Sequence, residues 1–317
     1  PSLMKPETVE LILSHIQKKW HISNQIEMTL EANPTSIEID KFQAFKSAGV
    51  NRVSVGVQAL KDEDLKFLGR AHSAQEARRA IEIAQSVFDR SSFDLMYARP
   101  GQTVSGWIHE LQDALNIMAG HVSLYQLTIE SGTPFFTSYA RGEFTIPDSD
   151  LAADLYEATQ DVMGASGRPA YEISNHAKPG EESRHNLSYW MYQDYAGIGP
   201  GAHGRLTLGG IKYATRAHRA PDIWLGRVNE QGHGAHPFEP ISREGRFAEA
   251  LMMGLRLTQG VELGRLTEEG GRPWQDKIPT DKITSLVEEG LILRPNTHLQ
   301  ATQKGRACLN AVLSYLL

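Results

Sequence analysis

Residues 51–60, NRVSVGVQAL, decide how the rest of the chain is read. Val53, Val55 and Val57 alternate, and a β-branched residue at every second position is the mark of a strand. Working outward from it, Ile39, Phe42 and Phe45 mark a helix closed by Gly49, a residue that tolerates positive φ at a helix end. Before that helix stands IEMTLEANP, a strand stopped by Pro34. On the other side, SAQEARRAIEIAQSVF reads as a helix: Ser73 and Glu76 have capping-box spacing, and Ala77, Ile81, Ala84 and Phe88 form one stripe. SSFDLMY is the next strand, Trp107, Leu111, Ala114 and Met118 the next helix, and HVSLYQLTIE a further strand. Strands alternating with helices of this kind build βα units around a parallel sheet.

The ends of the chain add to this frame. The sequence opens PSLMKPETVE, without an initiator Met, and Pro6 suits the first turn of a helix carrying Val9, Ile12, Leu13, Ile16 and Trp20 on one face. No strand precedes that helix. Past the helix DLAADLYEATQDVM comes a looser, Gly-rich and aromatic-rich region from about 165 to 215, with residues 221–240 read as an exposed connector. Beyond it, Ser242 caps a helix expected to run to Leu257. Ile283, Leu286 and Val287 mark another, LILRPNTHLQAT a hairpin turning at Pro295-Asn296, and Leu309, Val312, Leu313 and Leu316 a last helix. Helices followed by a hairpin and a helix resemble a winged helix. The expected organisation is therefore an incomplete α/β barrel and its extension over residues 1–220, the connector, and a small α+β domain over 241–317.

Charge narrows the function. The chain of 317 residues carries a net charge of −6, and residues 241–317 contain ten Lys/Arg against nine Asp/Glu, so the cationic surplus that phosphate recognition needs is missing. No nucleic-acid partner is expected. Neither an apolar run of about 18 residues nor a charged-then-apolar leader is found. The single cysteine, Cys308, cannot form an internal disulfide or by itself hold a zinc ion or an iron–sulfur cluster, and a reducing cytoplasm fits it best.

In parallel βα barrels the functional groups stand where strands end. Those ends supply Glu31, Gln58, Asp94 and the stretch Gln126 to Thr128. A ring of acids, amides and a hydroxyl suits a small zwitterion, whose ammonium a carboxylate holds and whose carboxylate Arg70 grips as a bidentate fork. The alternative is that each satisfies a loop N–H. ESRHNLSYW gathers His185, Asn186, Tyr189 and Trp190 within six residues. Aromatic walls beside an imidazole suit a flat macrocycle with His185 on its iron, or simply a packing cluster. DYAGIGPGAHG places four glycines between Gly197 and Gly204 around His203: either the backbone approaches a ligand there or the chain turns tightly.

EANP, RVSVGVQ, LGRAH, FDLMY followed by PGQT, YEISNHA, HNLSYW and GIGPGAHG, in that order, resemble the HemN/HemW branch of radical S-adenosylmethionine proteins. HNLSYW is similar to the HNxxYW signature of the HemW-type heme chaperones. The resemblance implies a radical SAM partial barrel lacking its first strands, with a HemN-like C-terminal domain. It implies S-adenosylmethionine contacts at Glu31, Gln58, Arg70 and Asp94, with Thr128 and His203 as looser matches, and heme at His185, Tyr189 and Trp190. Family members begin with a strand, a CxxxCxxC-like loop holding a [4Fe-4S] cluster, and a strand ending in GGGTPS; here the text starts at the PS, so the chain reads as a fragment lacking that front part, with natural truncation the alternative, and as unable to hold the cluster. Ala98 and Arg99 depart from the usual Gly and Leu, which would place an added guanidinium near the binding mouth. The function implied is binding of heme and its delivery to a recipient protein, with transient association with membrane-bound recipients. Oxygen-independent coproporphyrinogen III oxidation is the enzymatic alternative, and a degenerate barrel kept for protein interaction a third.

Overall fold

The computed structural model describes residues 2–34 and 39–317 of the chain. Pro1 and residues 35–38 lie outside that set, as do the side chains of Ile39 and Asp40. Two compact units result, the first ending at Glu182 and the second running from Ser183 to Leu317.

The first unit contains α1 (Pro6–Lys19), β1 (Thr29–Ala32), α2 (Ile39–Ser47), β2 (Arg52–Gln58), α3 (Asp62–Phe67), α4 (Ala74–Val87), β3 (Arg90–Tyr97), α5 (Val104–Leu115), β4 (His121–Gln126), α6 (Pro134–Ala140), α7 (Ser149–Ala165) and β5 (Asn175–Ala177). Its five-stranded sheet has the order β1-β2-β3-β4-β5. The first four strands are parallel and β5 is antiparallel to β4, so the α/β reading with a parallel βα core holds. Val53, Val55, Val57, Phe93, Leu95, Val122 and Leu124 are buried in the core with Phe42, Phe45 and Trp107. The capping box forms as expected, with the Ser73 side chain accepting from the Glu76 N–H and the Glu76 carboxylate accepting from the Ser73 N–H. Of the α1 stripe, Val9 is buried whereas Ile12 and Trp20 are exposed.

The second unit contains α8 (Arg184–Trp190), β6 (His203–Leu208), β7 (Ile211–Arg216), α9 (Pro221–Gln231), β8 (Glu239–Pro240), α10 (Arg243–Gly254), β9 (Val261–Glu262), α11 (Leu263–Gly270), α12 (Thr280–Glu288), β10 (His298–Leu299), α13 (Gln303–Ala307) and α14 (Leu309–Leu316). Sheets β6-β7-β8 and β9-β10 are both antiparallel. The unit boundary thus differs from the expected connector at 221–240, which holds α9 and part of a sheet. The physical reason is ionic. Arg205 on β6 grips Glu249 on α10 with two 2.9 Å hydrogen bonds, and Lys212 on β7 lies 3.7 Å from Glu269 on α11. Residues around 192–216 therefore belong with the C-terminal helices. The expected hairpin is present in short form: Ile292 bridges Ala301, flanked by Leu293 N–H donating to the Gln300 carbonyl at 2.9 Å and Thr302 N–H to the Leu291 carbonyl at 3.0 Å, while His298 and Leu299 also pair with β9.

Trp107 on α5 is fully buried, and its indole N–H donates to the Thr159 hydroxyl of α7 at 2.7 Å. Thr159→Val keeps the shape and removes that acceptor. Urea unfolding is expected to show a loss of about 1–3 kcal/mol, the cost of leaving a buried donor unpaired.

Candidate functional site

The register of the first sheet sorts its side chains into two faces. Glu31 stands opposite Ser54, Ser54 opposite Ser92, and Ser92 opposite His121; Asp94 stands opposite Ser123, and Ser123 opposite Asn175. Since side chains alternate along a strand, these groups share one polar face with Thr29 and Arg52. The valines and leucines between them face the helices.

That polar face is tied together internally. Arg52, itself buried, donates to the Ser92 hydroxyl at 2.9 Å and to the Thr29 hydroxyl at 3.4 Å, and Ser92 donates to Ser54 at 3.0 Å. His121 meets the Tyr171 hydroxyl at 2.9 Å, and burial holds its imidazole well below the usual histidine range, so it is neutral. Below these, Arg90 forms a 2.6 Å ion pair with Glu27.

The nominated residues gather toward one end of this face. Arg70, just after α3, donates to the Gly56 carbonyl at 3.1 Å. The strand pairing slips between Val55 and Gln58, and Gln58 has φ +74°. A Cβ on Gly56 would stand 3.1 Å from Arg70 Nη2 and 3.3 Å from Gln58 Nε2, so the glycine lets the two polar heads close in. Asp94 sits mid-strand rather than at a tip. Burial pushes its carboxyl up to about 6; the Ser123 hydroxyl and the Arg52 and Arg70 guanidinia oppose this, while the Glu31 carboxylate reinforces it. Four of the expected ligand contacts, Glu31, Gln58, Arg70 and Asp94, therefore occupy one neighbourhood.

Other candidates are placed differently. Gln126 lies an odd number of residues from Ser123, turns to the opposite face, and donates to the Ala152 carbonyl of α7. Thr128 is exposed beyond β4, its hydroxyl 3.4 Å from the Gln126 carbonyl. Ala98 does carry positive φ, at +57°, but Arg99 is no free cation at a mouth: it is buried between Glu110 at 2.5 Å and Asp64 at 3.1 Å. The sequence reading passed over Arg52, His121 and Ser123, although their alternation with Val53, Val122 and Leu124 was the available signal.

In the second unit, α8 carries the HNLSYW stretch, capped by Ser183 accepting from the Asn186 N–H at 3.3 Å. His185 is exposed, and its ring meets Tyr189 edge to face at 4.7 Å; Tyr189 meets Tyr195 the same way at 4.4 Å. Trp190, five residues after His185 and so about 140° around the helix, is not part of that face and stacks under Arg256 at 4.8 Å. His203 is exposed at the start of β6. The glycines around it serve a tight chain crossing, since a Cβ on Gly197 would overlap the His203 carbonyl and one on Gly204 would stand 2.8 Å from the Tyr195 carbonyl.

The polar face suits S-adenosylmethionine in donor chemistry: carboxylates for its cationic groups, a guanidinium for its carboxylate, and a glycine that keeps the cradle open. An iron–sulfur cluster does not fit this chain, whose single thiol, Cys308, is exposed in the second unit. Among the described residues no group of three His, Cys, Asp or Glu is placed to hold a metal ion, and no helix is long and apolar enough to cross a membrane.

Comparison with known proteins gives a matching picture. Residues 1–114 match the radical SAM superfamily model and residues 241–308 the HemN C-terminal domain. Over its whole length the chain is 39% identical to the mitochondrial radical S-adenosyl methionine domain-containing protein 1 of Bos taurus, covering 73% of that protein. It is 33% identical to heme chaperone HemW of Bacillus subtilis, covering 83% of it, and 33% identical to that of Escherichia coli, covering 82%. The structure of coproporphyrinogen III oxidase (HemN) from Escherichia coli, a radical SAM enzyme, superposes with a TM-score of 0.80 at 17% identity, over all of this chain and 75% of that one.

The raised Asp94 carboxyl favours the protonated folded state. Ionising it above an unfolded value of about 3.9 lowers stability as pH rises toward about 6. Asp94→Asn is therefore expected to gain stability relative to the parent across that interval and no further above it, read from urea midpoints at a series of pH values.

Proposed function

The chain belongs to the radical SAM family that includes heme chaperone HemW and the mitochondrial radical S-adenosyl methionine domain-containing protein 1, and from that premise we propose that it binds heme and passes it to a recipient heme protein. The observation that carries this reading is α8, which presents an exposed imidazole, His185, against the perpendicular ring of Tyr189. An exposed imidazole can ligate heme iron, and an aromatic edge beside it can bear on a macrocycle. The likeness to coproporphyrinogen III oxidase is one of fold, and turnover of coproporphyrinogen is not part of the proposal. The recipients are heme proteins, membrane-bound ones included. A reducing compartment suits the lone thiol; the cytoplasm is proposed, with the mitochondrial names of the animal relatives as the alternative.

The polar face of the first unit is proposed as the S-adenosylmethionine site. Asp94 and Glu31 would face the ligand's cationic groups, Arg70 its carboxylate, and Gln58 would donate or accept at its polar rim. His203 and Thr128 are weaker candidates for the same ligand. When bound beside a reduced cluster, S-adenosylmethionine supplies one-electron chemistry; within this chain the residues named bind and orient, and none of them ligates the cluster.

Two measurements test these assignments. Hemin titration followed by absorbance is expected to show binding weakened at least about tenfold in His185→Ala, since even partners one shell out from a metal are worth that much; an unchanged affinity and spectrum remove the role given to His185. Calorimetric titration of S-adenosylmethionine is expected to show affinity about tenfold lower at pH 5 than at pH 7, because the ligand's positive charge needs Asp94 ionised and its carboxyl titrates near 6. A flat profile in the parent, or the same profile in Asp94→Asn, contradicts the placement of Asp94.

A further inference from the structure

The backbone of Arg70 is joined to α3 as one piece. Gly69, at φ +68°, donates to the Lys66 carbonyl at 3.1 Å, and the Arg70 N–H reaches back to the Leu65 carbonyl at 2.9 Å. These are the two closing bonds of a Schellman turn, which locks the residue after the glycine to the last helical turn. Wherever α3 sits, Arg70 follows. α3 itself is only six residues long, too short to hold its place by helix propensity, so its position comes from its ties. Leu65 is buried, and the Asp62 carboxylate accepts from the Ala74 N–H at 2.7 Å. A third tie is Asp64, 3.1 Å from Nη2 of Arg99.

Arg99 carries that tie into the sheet. It stands two residues past the end of β3, and its Nη1 donates to the Met96 carbonyl of that strand at 2.6 Å. Nη2 is shared between Asp64 of α3 and Glu110 of α5. The Arg99 side chain is buried, so its planar fork acts away from water, where it fixes geometry as well as charge. β3 also carries Asp94. The helix that presents Arg70 is thereby fastened to the strand that presents Asp94. Both Nη groups of Arg99 are taken by the protein, so its influence on a ligand is indirect.

We propose, resting on the S-adenosylmethionine reading above, that Arg99 is a positioning residue of that site: acting through Asp64 and α3, it sets the separation between the Arg70 guanidinium and the Asp94 carboxyl. A zwitterion held at both ends is sensitive to that separation, because a hydrogen bond weakens steeply once its partners leave a narrow range of distance and angle. The ligand's carboxylate feels the loss first, since Arg70 is the group that faces it.

The test uses the full chain and cuts only the tie to α3, with Asp64→Ala, leaving Arg99 paired with Glu110. Without ligand, hydrogen exchange read by mass spectrometry is expected to show the amides of residues 65–70 exchanging about fivefold faster, with those of β3 unchanged. Calorimetric titration then compares S-adenosylmethionine with its decarboxylated analogue, which keeps the adenosine, the sulfonium and the amine. The parent prefers S-adenosylmethionine by about tenfold, one charge-assisted contact's worth. In Asp64→Ala, and in Arg99→Lys, which keeps the charge and loses the fork, that preference falls toward one, with thermal melting confirming that both variants fold. Arg70→Ala removes the preference by itself, and adding Asp64→Ala to it brings no further loss. A preference of parental size in both variants, even with both ligands bound more weakly, marks a merely structural contact and overturns the positioning role. Unchanged exchange at residues 65–70 overturns it as well. A parent that binds both ligands equally overturns the grip given to Arg70 and the role of Arg99 with it. A parent that binds neither overturns the S-adenosylmethionine reading itself, and the exchange of residues 65–70 then still decides whether Arg99 holds α3 in place.

Discussion

Everything in the first unit depends on one constraint: four parallel strands that carry valine, leucine and phenylalanine on one face must satisfy a row of polar groups on the other. Parallel sheets are usually apolar on both faces because helices cover them. Here Arg52, Ser54, Ser92, Ser123 and His121 take alternate positions, and buried polar groups are tolerated only when hydrogen-bonded. The Arg52–Ser92–Ser54 chain and the His121–Tyr171 bond meet that requirement from within the protein. The compensation is incomplete: His121 Nδ1 and Asn175 Oδ1 have no partner, and burial raises the Asp94 carboxyl against the Ser123 hydroxyl and the Arg52 and Arg70 guanidinia. Where a polar face is nearly but not fully compensated, a charged ligand completes it, and this links the packing of the sheet to its proposed binding role.

The same logic organises the second unit with ion pairs in place of hydroxyls. Lys212 is buried, lies over the Tyr192 ring at 3.9 Å and sits between Asp194 and Glu269, which also accepts from Arg246 at 2.7 Å. Removing one partner of such a buried set leaves an uncompensated charge and is far more disruptive than losing a surface pair. These contacts fix the strand pair β6-β7 and the turn at Tyr192 against α10 and α11. They thereby form the frame in which α8 displays His185 and Tyr189 outward and carries Trp190 on another side. The helix is only seven residues long, so its division of labour depends on that frame rather than on intrinsic helix stability.

Arg99 shows how a local reading and a tertiary one diverge. Next to a proline and beside the expected mouth, an arginine reads as an exposed cation. In the folded chain Asp64 from α3 and Glu110 from α5 close around it, leaving its side chain 4% exposed. Neither acid is its sequence neighbour. Gln126 diverges for a simpler reason: a strand end was recognised, but one step along a strand exchanges faces.

The periodicities of the chain determined a great deal: the parallel strands at Val53, Phe93 and Val122, the capped helix after Ser73, and the apolar stripe from Leu309 to Leu316, because alternation and helical repeat are local properties that each segment carries with it. The motifs also nominated Glu31, Gln58, Arg70 and Asp94 and singled out the HNLSYW stretch, though not as a helix. Only the tertiary structure decided which of these side chains share a face, where Trp190 points, that the glycines around His203 serve a chain crossing, and that the second unit begins at Ser183. Those outcomes depend on register, on helix rotation and on ion pairs between residues such as Arg205 and Glu249, 44 positions apart, and no local pattern encodes a contact whose two halves are so far separated along the chain.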